Sequence, residues 1–503
     1  MDQSAMPVLE ALYEYQKKDP AYFQIPGHRY ERGVNPALSE AWGKDVFRFD
    51  LTESEGLDDL HDPRGVILQA QVLAAELYGA DRTWFLVNGT TCGNEAMILA
   101  AVKPGEKIIA ARNVHKSVLS GMILAGAVPV WISPQEVKGS GISGSISPDA
   151  VEEAFCREPG AKALILTDPT YYGVCSDLNT IAGICHGHNA YLLVDEAHGS
   201  HFYFSDRCPK GALELGADLC AQSIHKTQAG LTQASMLHFR NNGTDPPDDI
   251  IRRIGEALKL VMSSSPSYLL MASLDCARQD MALHGREHLS RALYLADLLK
   301  SGLKKISGIT LTENAEGIFG TDPLRVVISA AEAGISGYEL RSRLFREGIA
   351  TELADPENVV SVVTWGNTEE EISRFLAGAE KCVAAPEGKL VECTSRHTDI
   401  RKTCSGIPAV PAASMCCRIP AVPAAAMTPR DAFYAETEIR PLDAAAGCVS
   451  ADMAVPYPPG IPVLCPGEII TEEIISFLLK RHDDGAAIHG LADPDRMMIR
   501  TVR

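Results

Sequence analysis

The chain has 503 residues, 46% hydrophobic and 22% charged, too many for one compact core, so two or three domains are expected. Its formal net charge of −19 repels phosphate backbones and argues against a nucleic-acid partner. The fourteen cysteines show no CxxC pairs of metal spacing, the N-terminus carries no basic-then-apolar signal and no run approaches a membrane span, so the expectation is a soluble cytoplasmic protein with reduced thiols, no metal and no membrane partner.

After an N-terminal segment over 1–60, a rhythm of helices and short apolar strands sets in. Pro63–Gly79 predicts a helix with proline at its start and glycine at its end. Thr83–Val87 predicts a strand, Thr90–Val102 a helix, and Lys107–Ala111 a strand. A helix near His115–Ala125 and a strand over Val128–Ile132 follow. Lys162–Thr167 and Tyr191–Asp195 read as buried strands flanking a helix over Asp177–Asn189. Such alternation predicts a mostly parallel sheet covered on both faces, with its site at the carboxyl ends of the strands. The large domain is taken as 61–320. A strand over Leu324–Ser329, a helix within Gly334–Gly348, a strand within Val359–Gly366 and a helix over Thr368–Val383 make a small α+β domain, 321–385. Residues 386–427 are rich in Pro and Ala and hold the near-duplicates "IPAVPAASM" and "IPAVPAAAM", read as a linker, because two copies cannot build a stacked core. A C-terminal domain, 428–503, completes the chain.

The strand ending at Asp195 runs into Glu196-Ala197-His198. These four letters spell a helicase box, but the chain has no GxxxxGK[ST] phosphate loop, and that reading is rejected. The alternative begins at "SIHKTQAGLTQASM", Ser223–Met236, with Lys226 in a small polar setting. A lysine that bonds pyridoxal 5′-phosphate needs an acid for the pyridinium nitrogen, a phosphate cradle and a flat group over the ring. Asp195, 31 residues before Lys226, is the candidate acid. The turn "NGTTCGNEA" places Gly89, Thr90, Thr91 and Cys92 at a helix start, where free N–H groups bind phosphate. His115 is the candidate ring cover, and His198 a second histidine near the acid. Each has an ordinary explanation, a turn residue or an N-cap. Their joint order along an α/β pattern points to the cofactor.

The segments "IPGHRYERG", "LDDLHDPRG", "RNVHKS", "DPTYYGVCSDL", "VDEAHGSHF", "SIHKTQAGLTQASM", "SSSPSYLLMASLD", "TPRDAFYAETE" and "YPPGIPVLCPGE" fall in order from about residue 7 onward and weaken only over 386–425. Together they resemble the ornithine/lysine/arginine decarboxylase family. The resemblance implies an α/β, aspartate-aminotransferase-like fold of type I with small and C-terminal domains. It implies pyridoxal 5′-phosphate on Lys226 as a Schiff base, Asp195 on the pyridinium nitrogen and His115 stacked on the ring. Thr91, Cys92, Ser223 and His225 match phosphate-side positions, although Cys92 stands where a hydroxyl or small residue is expected. Ser263 and Ser264 match a segment that reaches the phosphate of a neighbouring subunit, and Glu468 an acid near the substrate's distal cation. With "IPGH" reached by residue 25, the chain resembles the short form found with biosynthetic arginine decarboxylases, which lacks a receiver-like wing, so a homodimer or dimer of dimers is expected. The implied reaction removes CO2 from a basic L-amino acid, arginine giving agmatine, with lysine and ornithine as alternatives and Lys226, His198 or a nearby acid as the proton source. An aminotransferase of the same fold would need an arginine clamp, for which Arg325 and Arg374 are candidates. A catalytically silent homologue would be expected to lose Lys226 or Asp195, and both are present.

Overall fold

The computed structural model of the protein describes residues 1–244, 246–313, 315–384, 420–457 and 460–503. Most of the expected 386–427 linker, including the first "IPAVPAA" copy, lies outside them.

The large sheet has seven strands: β1 (Arg82–Leu86), β2 (Lys107–Ala111), β3 (Val128–Ile132), β4 (Ala163–Thr167), β5 (Tyr191–Asp195), β6 (Leu219–Ser223) and β7 (Ser235–Phe239). Their spatial order is β1-β7-β6-β5-β4-β2-β3. Strands β3, β2, β4, β5 and β6 pair in parallel, and β7 runs against both of its neighbours. The strands β5 and β6 are buried at every residue, as sheets covered on both faces require. Their apolar side chains join those of the flanking helices in one continuous core.

The expected elements are found to within a few residues. The helix expected from Pro63 begins at Val66, because the Asp58 carboxylate accepts the N–H groups of Gly65 (2.7 Å) and Ile67 (3.1 Å) and caps the chain there. Gly79 ends it in the left-handed conformation, φ +70°. Sequence reasoning passed over β7 and a 36-residue helix, Tyr268–Leu303.

A second sheet holds β8 (Thr310–Leu311), β9 (Arg325–Ser329), β10 (Leu353–Ala354) and β11 (Asn358–Val362), antiparallel in the order β10-β11-β9-β8. The C-terminal residues form a separate core around Leu442, Ile470, Ile474, Leu478, Ile488 and Ile499. Among the described residues no helix is long and apolar enough to cross a membrane.

Candidate active site

A cleft of about 390 Å³ opens at the carboxyl ends of β4, β5 and β6, where the switch-point rule for such sheets puts a ligand. Its wall contains Asp195, the last residue of β5, and Ser223, the last of β6. Lys226 follows on a single helical turn, Ile224–Thr227.

The acid is held by a polar chain. Asn94 Nδ2 donates to Asp195 Oδ2 (2.8 Å), and the Ala197 N–H donates to Oδ1 (3.2 Å). The Asn94 amide also donates to Ser117 Oγ (2.9 Å), and Ser117 meets His115 Nδ1 through Oγ at 2.8 Å and through its N–H at 3.2 Å. One asparagine of the Gly89–Ala101 helix therefore couples the acid to the histidine. His115 caps the helix Lys116–Ala125. Burial holds its imidazole below the usual histidine range, against the opposing pull of Asp195. Asn94 was not among the expected residues, though it lies within the quoted "NGTTCGNEA".

Lys226 Nζ stands 3.2 Å from His198 Nε2 and 5.4 Å from the centre of the Tyr171 ring. Burial lowers the lysine's pKa, with Asp195 opposing and Arg325 adding to the fall. The Tyr171 ring also lies 4.6 Å from that of His198.

Gly89 opens its helix with φ +73°, where a side chain would be strained, and its N–H donates to Gln233 O at 3.0 Å. Thr91 is exposed on the cleft wall. Thr90 also lines the cleft, but its hydroxyl is taken up by Ser223 Oγ (2.5 Å) and Ser235 Oγ (2.7 Å), so it pins the helix start to β6 and β7. His225 lines the cleft with Nδ1 donating to Ala234 O at 3.1 Å.

Two expectations, those for Cys92 and Glu468, meet a different geometry, and a third, for Ser263 and Ser264, concerns a neighbouring subunit. The Cys92 thiol is not on the cleft wall: it is buried, donates to Gly89 O at 3.1 Å, and burial pushes its pKa up to about 12. Ser263 and Ser264 are exposed and line no part of this chain's own cleft. Ser263 touches it indirectly, through its N–H to Asn88 Oδ1 (3.2 Å). Glu468 lies outside the cleft wall, 2% exposed, with Oε2 2.9 Å from Arg112 Nη2 and 2.7 Å from the Cys465 N–H. Arg112 further donates to Val463 O (2.8 Å), and its guanidinium lies 4.8 Å from the Trp131 ring. The pair is an anchor between the end of β2 and the C-terminal residues and engages Oε2 of the carboxylate expected to meet substrate, while Oε1 has no hydrogen-bond partner among the described residues. The anchored segment contributes Ile461 to the cleft wall.

A family model described as Orn/Lys/Arg decarboxylase, major domain, matches residues 6–318, and its C-terminal-domain counterpart matches 413–492. The chain belongs to the Orn/Lys/Arg decarboxylase family. This decarboxylase is 37% identical to the arginine decarboxylase of Bacillus subtilis (strain 168), over 100% of the chain and 99% of that protein. It is 37% identical to the arginine decarboxylase of Halalkalibacterium halodurans, over 100% and 98%. Among solved structures, its fold is similar to lysine decarboxylase A from Pseudomonas aeruginosa, with TM-score 0.81, 23% identity, and coverage of 99% of this chain and 80% of that one. The decarboxylase is an α/β, fold-type-I enzyme that uses pyridoxal 5′-phosphate and acts on a basic amino acid.

The cleft fits that cofactor. A dianionic phosphate suits the helix start, where the Gly89 N–H is spent on Gln233 O but the N–H groups of Thr90 and Thr91 have no residue four positions back within the helix. The buried Asp195 carboxylate is held by two neutral donors and faces a space large enough for a ring.

Proposed function

We propose that the chain decarboxylates L-arginine to agmatine and CO2, a step of polyamine formation, in the cytoplasm and as a homodimer or larger homo-oligomer. The observation that carries the substrate choice is its full-length similarity to arginine decarboxylases, at 34–37% identity to four Bacillus and Halalkalibacterium proteins. Lysine decarboxylases are more distant, at 24–26% identity.

In this reading Lys226 is the residue that bonds the cofactor. Asp195 meets the pyridinium nitrogen, with Asn94 fixing the carboxylate's orientation. His115 covers the ring. Gly89, Thr90, Thr91, Ser223 and His225 form the phosphate end, and exposed Ser263 and Ser264 serve a neighbouring subunit's cleft. Bound pyridoxal phosphate supplies an electron sink for the pair left behind when CO2 departs. The chain's own residues do the rest. Buried Lys226 is held toward its neutral, nucleophilic amine form. Tyr171 and Ile461 wall the cleft against water. The aminotransferase reading lacks its clamp: Arg325 is not on the cleft wall, and Arg374 is exposed with its guanidinium on Glu347 O.

The deciding experiment incubates the protein with pyridoxal phosphate and equal L-arginine, L-lysine and L-ornithine, and identifies the amines by mass spectrometry. Agmatine as the main product is expected. Cadaverine or putrescine in its place overturns the choice of arginine. The Lys226→Ala variant is expected to lose the visible band of covalently held cofactor; a retained band removes Lys226 from its role.

A further inference from the structure

His198 meets the cleft with one ring nitrogen and the protein interior with the other. Nε2 faces Lys226 Nζ at 3.2 Å. Nδ1 lies 2.8 Å from Arg325 Nη2. A guanidinium has donors only and keeps its charge in proteins. Nδ1 must therefore present its lone pair, and the proton of the neutral ring sits on Nε2.

Arg325 is fixed for this task. It is the first residue of β9, 4% exposed and absent from the cleft wall, and its hydrogen bond toward the cleft goes to His198. Asp322 Oδ2 lies 4.0 Å from its Nη1, and Asp322 Oδ1 is held by His201 Nε2 (3.1 Å) and the Leu324 N–H (2.9 Å). Gly173, at φ +81°, lets the arginine stem pass: a Cβ there would stand 2.7 Å from Arg325 Cγ.

We propose that Arg325 is a positioning residue that holds His198 as a neutral imidazole with its proton on Nε2, so that His198 gives a hydrogen bond into the cleft and takes no proton from it. The groups facing His198 agree. Lys226 and His115 stand on the cleft side, Arg325 and His201 behind it, and the Tyr171 ring lies alongside. Burial first, then each of these cationic or basic neighbours, pushes the His198 pKa well below the usual range. An Nε2–H aimed at Nζ also favours the free amine of Lys226 over its ammonium. The ammonium form becomes a better acid, and Lys226 is left as the proton carrier to the product carbon, its Nζ passing from ammonium to amine as the C–H bond forms. This last clause rests on the decarboxylase reading above; the tautomer does not.

The test reads the ring nitrogens of 15N-histidine-labelled protein without cofactor, with His198 assigned from the His198→Gln spectrum. The expected result is a protonated Nε2 and a bare Nδ1 that stay unchanged between about pH 5 and 8, where ordinary histidines titrate. A protonated Nδ1, or a titrating His198, overturns the proposal without any variant. Arg325→Lys keeps a donor-only cation and is expected to preserve both the tautomer and the shape of the pH profile of kcat/KM. Arg325→Met leaves the burial and the Lys226 neighbour in place but removes the donor that holds Nδ1, and is expected to let the ring proton appear on Nδ1 as well as on Nε2 over the same pH range. An Arg325→Met protein with the wild-type tautomer removes Arg325 from the role. Failure to make agmatine with the tautomer intact counts against the proposed substrate alone.

Discussion

At the scale of single residues, the cleft depends on a buried carboxylate held at both oxygens. Asp195→Asn keeps the shape but only one accepting oxygen, so one of the two donors, the Asn94 amide or the Ala197 N–H, then faces an amide NH2. We expect that variant to fold and bind cofactor, seen by titration, yet to lose on the order of 10²-fold or more in kcat, the scale of a lost acid–base group. Turnover within a few-fold of wild type would remove the charge from the mechanism. Lys226, Asp195 and His115 were legible because each stands next to a pattern the sequence displays: an apolar strand, a glycine-threonine turn or a helix start. The roles of Asn94 and Arg112, and the His198 contact of Arg325, were not legible. The partners of these residues lie 101, 356 and 127 residues away, and no local spacing records such pairings. The Arg112 partner of Glu468 was hidden for the same reason. Cys92 likewise shares the quoted turn, but the helical rotation directs its thiol inward.

At the scale of elements, one feature seats the phosphate end and a second ties the strands beneath it together. Gly93 lets the Gly89–Ala101 helix lie against the sheet: a Cβ there would come within 2.9 Å of Leu86 Cδ1 and 3.1 Å of Ala221 Cβ. Gly93→Val is expected to cost about 1–3 kcal/mol, the usual penalty for overpacking. Because the helix start must shift with it, cofactor affinity should also fall. Denaturant unfolding and cofactor titration measure the two effects, and a loss of stability alone would uncouple Gly93 from the cradle. The second feature is a buried polar rung across three strands. Thr83 of β1 meets His238 Nδ1 (2.8 Å), His238 Nε2 of β7 meets Gln222 Oε1 (3.1 Å), and Gln222 Nε2 of β6 donates to Glu196 Oε2 (2.7 Å). Burial holds the His238 pKa down to about 3. The unfolded histidine binds its proton near pH 6.5, so the folded state binds fewer protons between the two values and stability rises with pH there. The contribution is fully present above about pH 6.5 and is lost as pH falls toward the folded value, a few kcal/mol in all. His238→Gln is expected to flatten that part of the stability–pH curve; an unchanged slope would show that His238 does not titrate on unfolding.

At the scale of the whole molecule, the C-terminal residues fold around their own core and are joined to the large sheet by a buried ion pair. Arg112 is 6% and Glu468 2% exposed, so removing one partner strands the other. Glu468→Ala is expected to cost about 3–5 kcal/mol, whereas replacing both residues with leucine should return much of that loss. Denaturant unfolding of the two variants tests this, and equal losses would mean the pair matters as packing alone. Kinetics of turnover should follow the single variant, because Ile461 closes the cleft from the anchored side.

The reversal of β7 bears on how the molecule comes together. β6 and β7 are joined by residues 224–234, which carry Lys226, with Ser223 opposite Ser235. The lysine's seat is thus a hairpin, closed by neighbours in the chain. The acid's seat depends on Asn94, 101 residues earlier. Short-range closure is fast and long-range parallel pairing is slow. During folding the nucleophile's surroundings can take shape while its electronic partner is still unplaced, and the chain becomes able to hold its cofactor only when the late, distant pairing arrives.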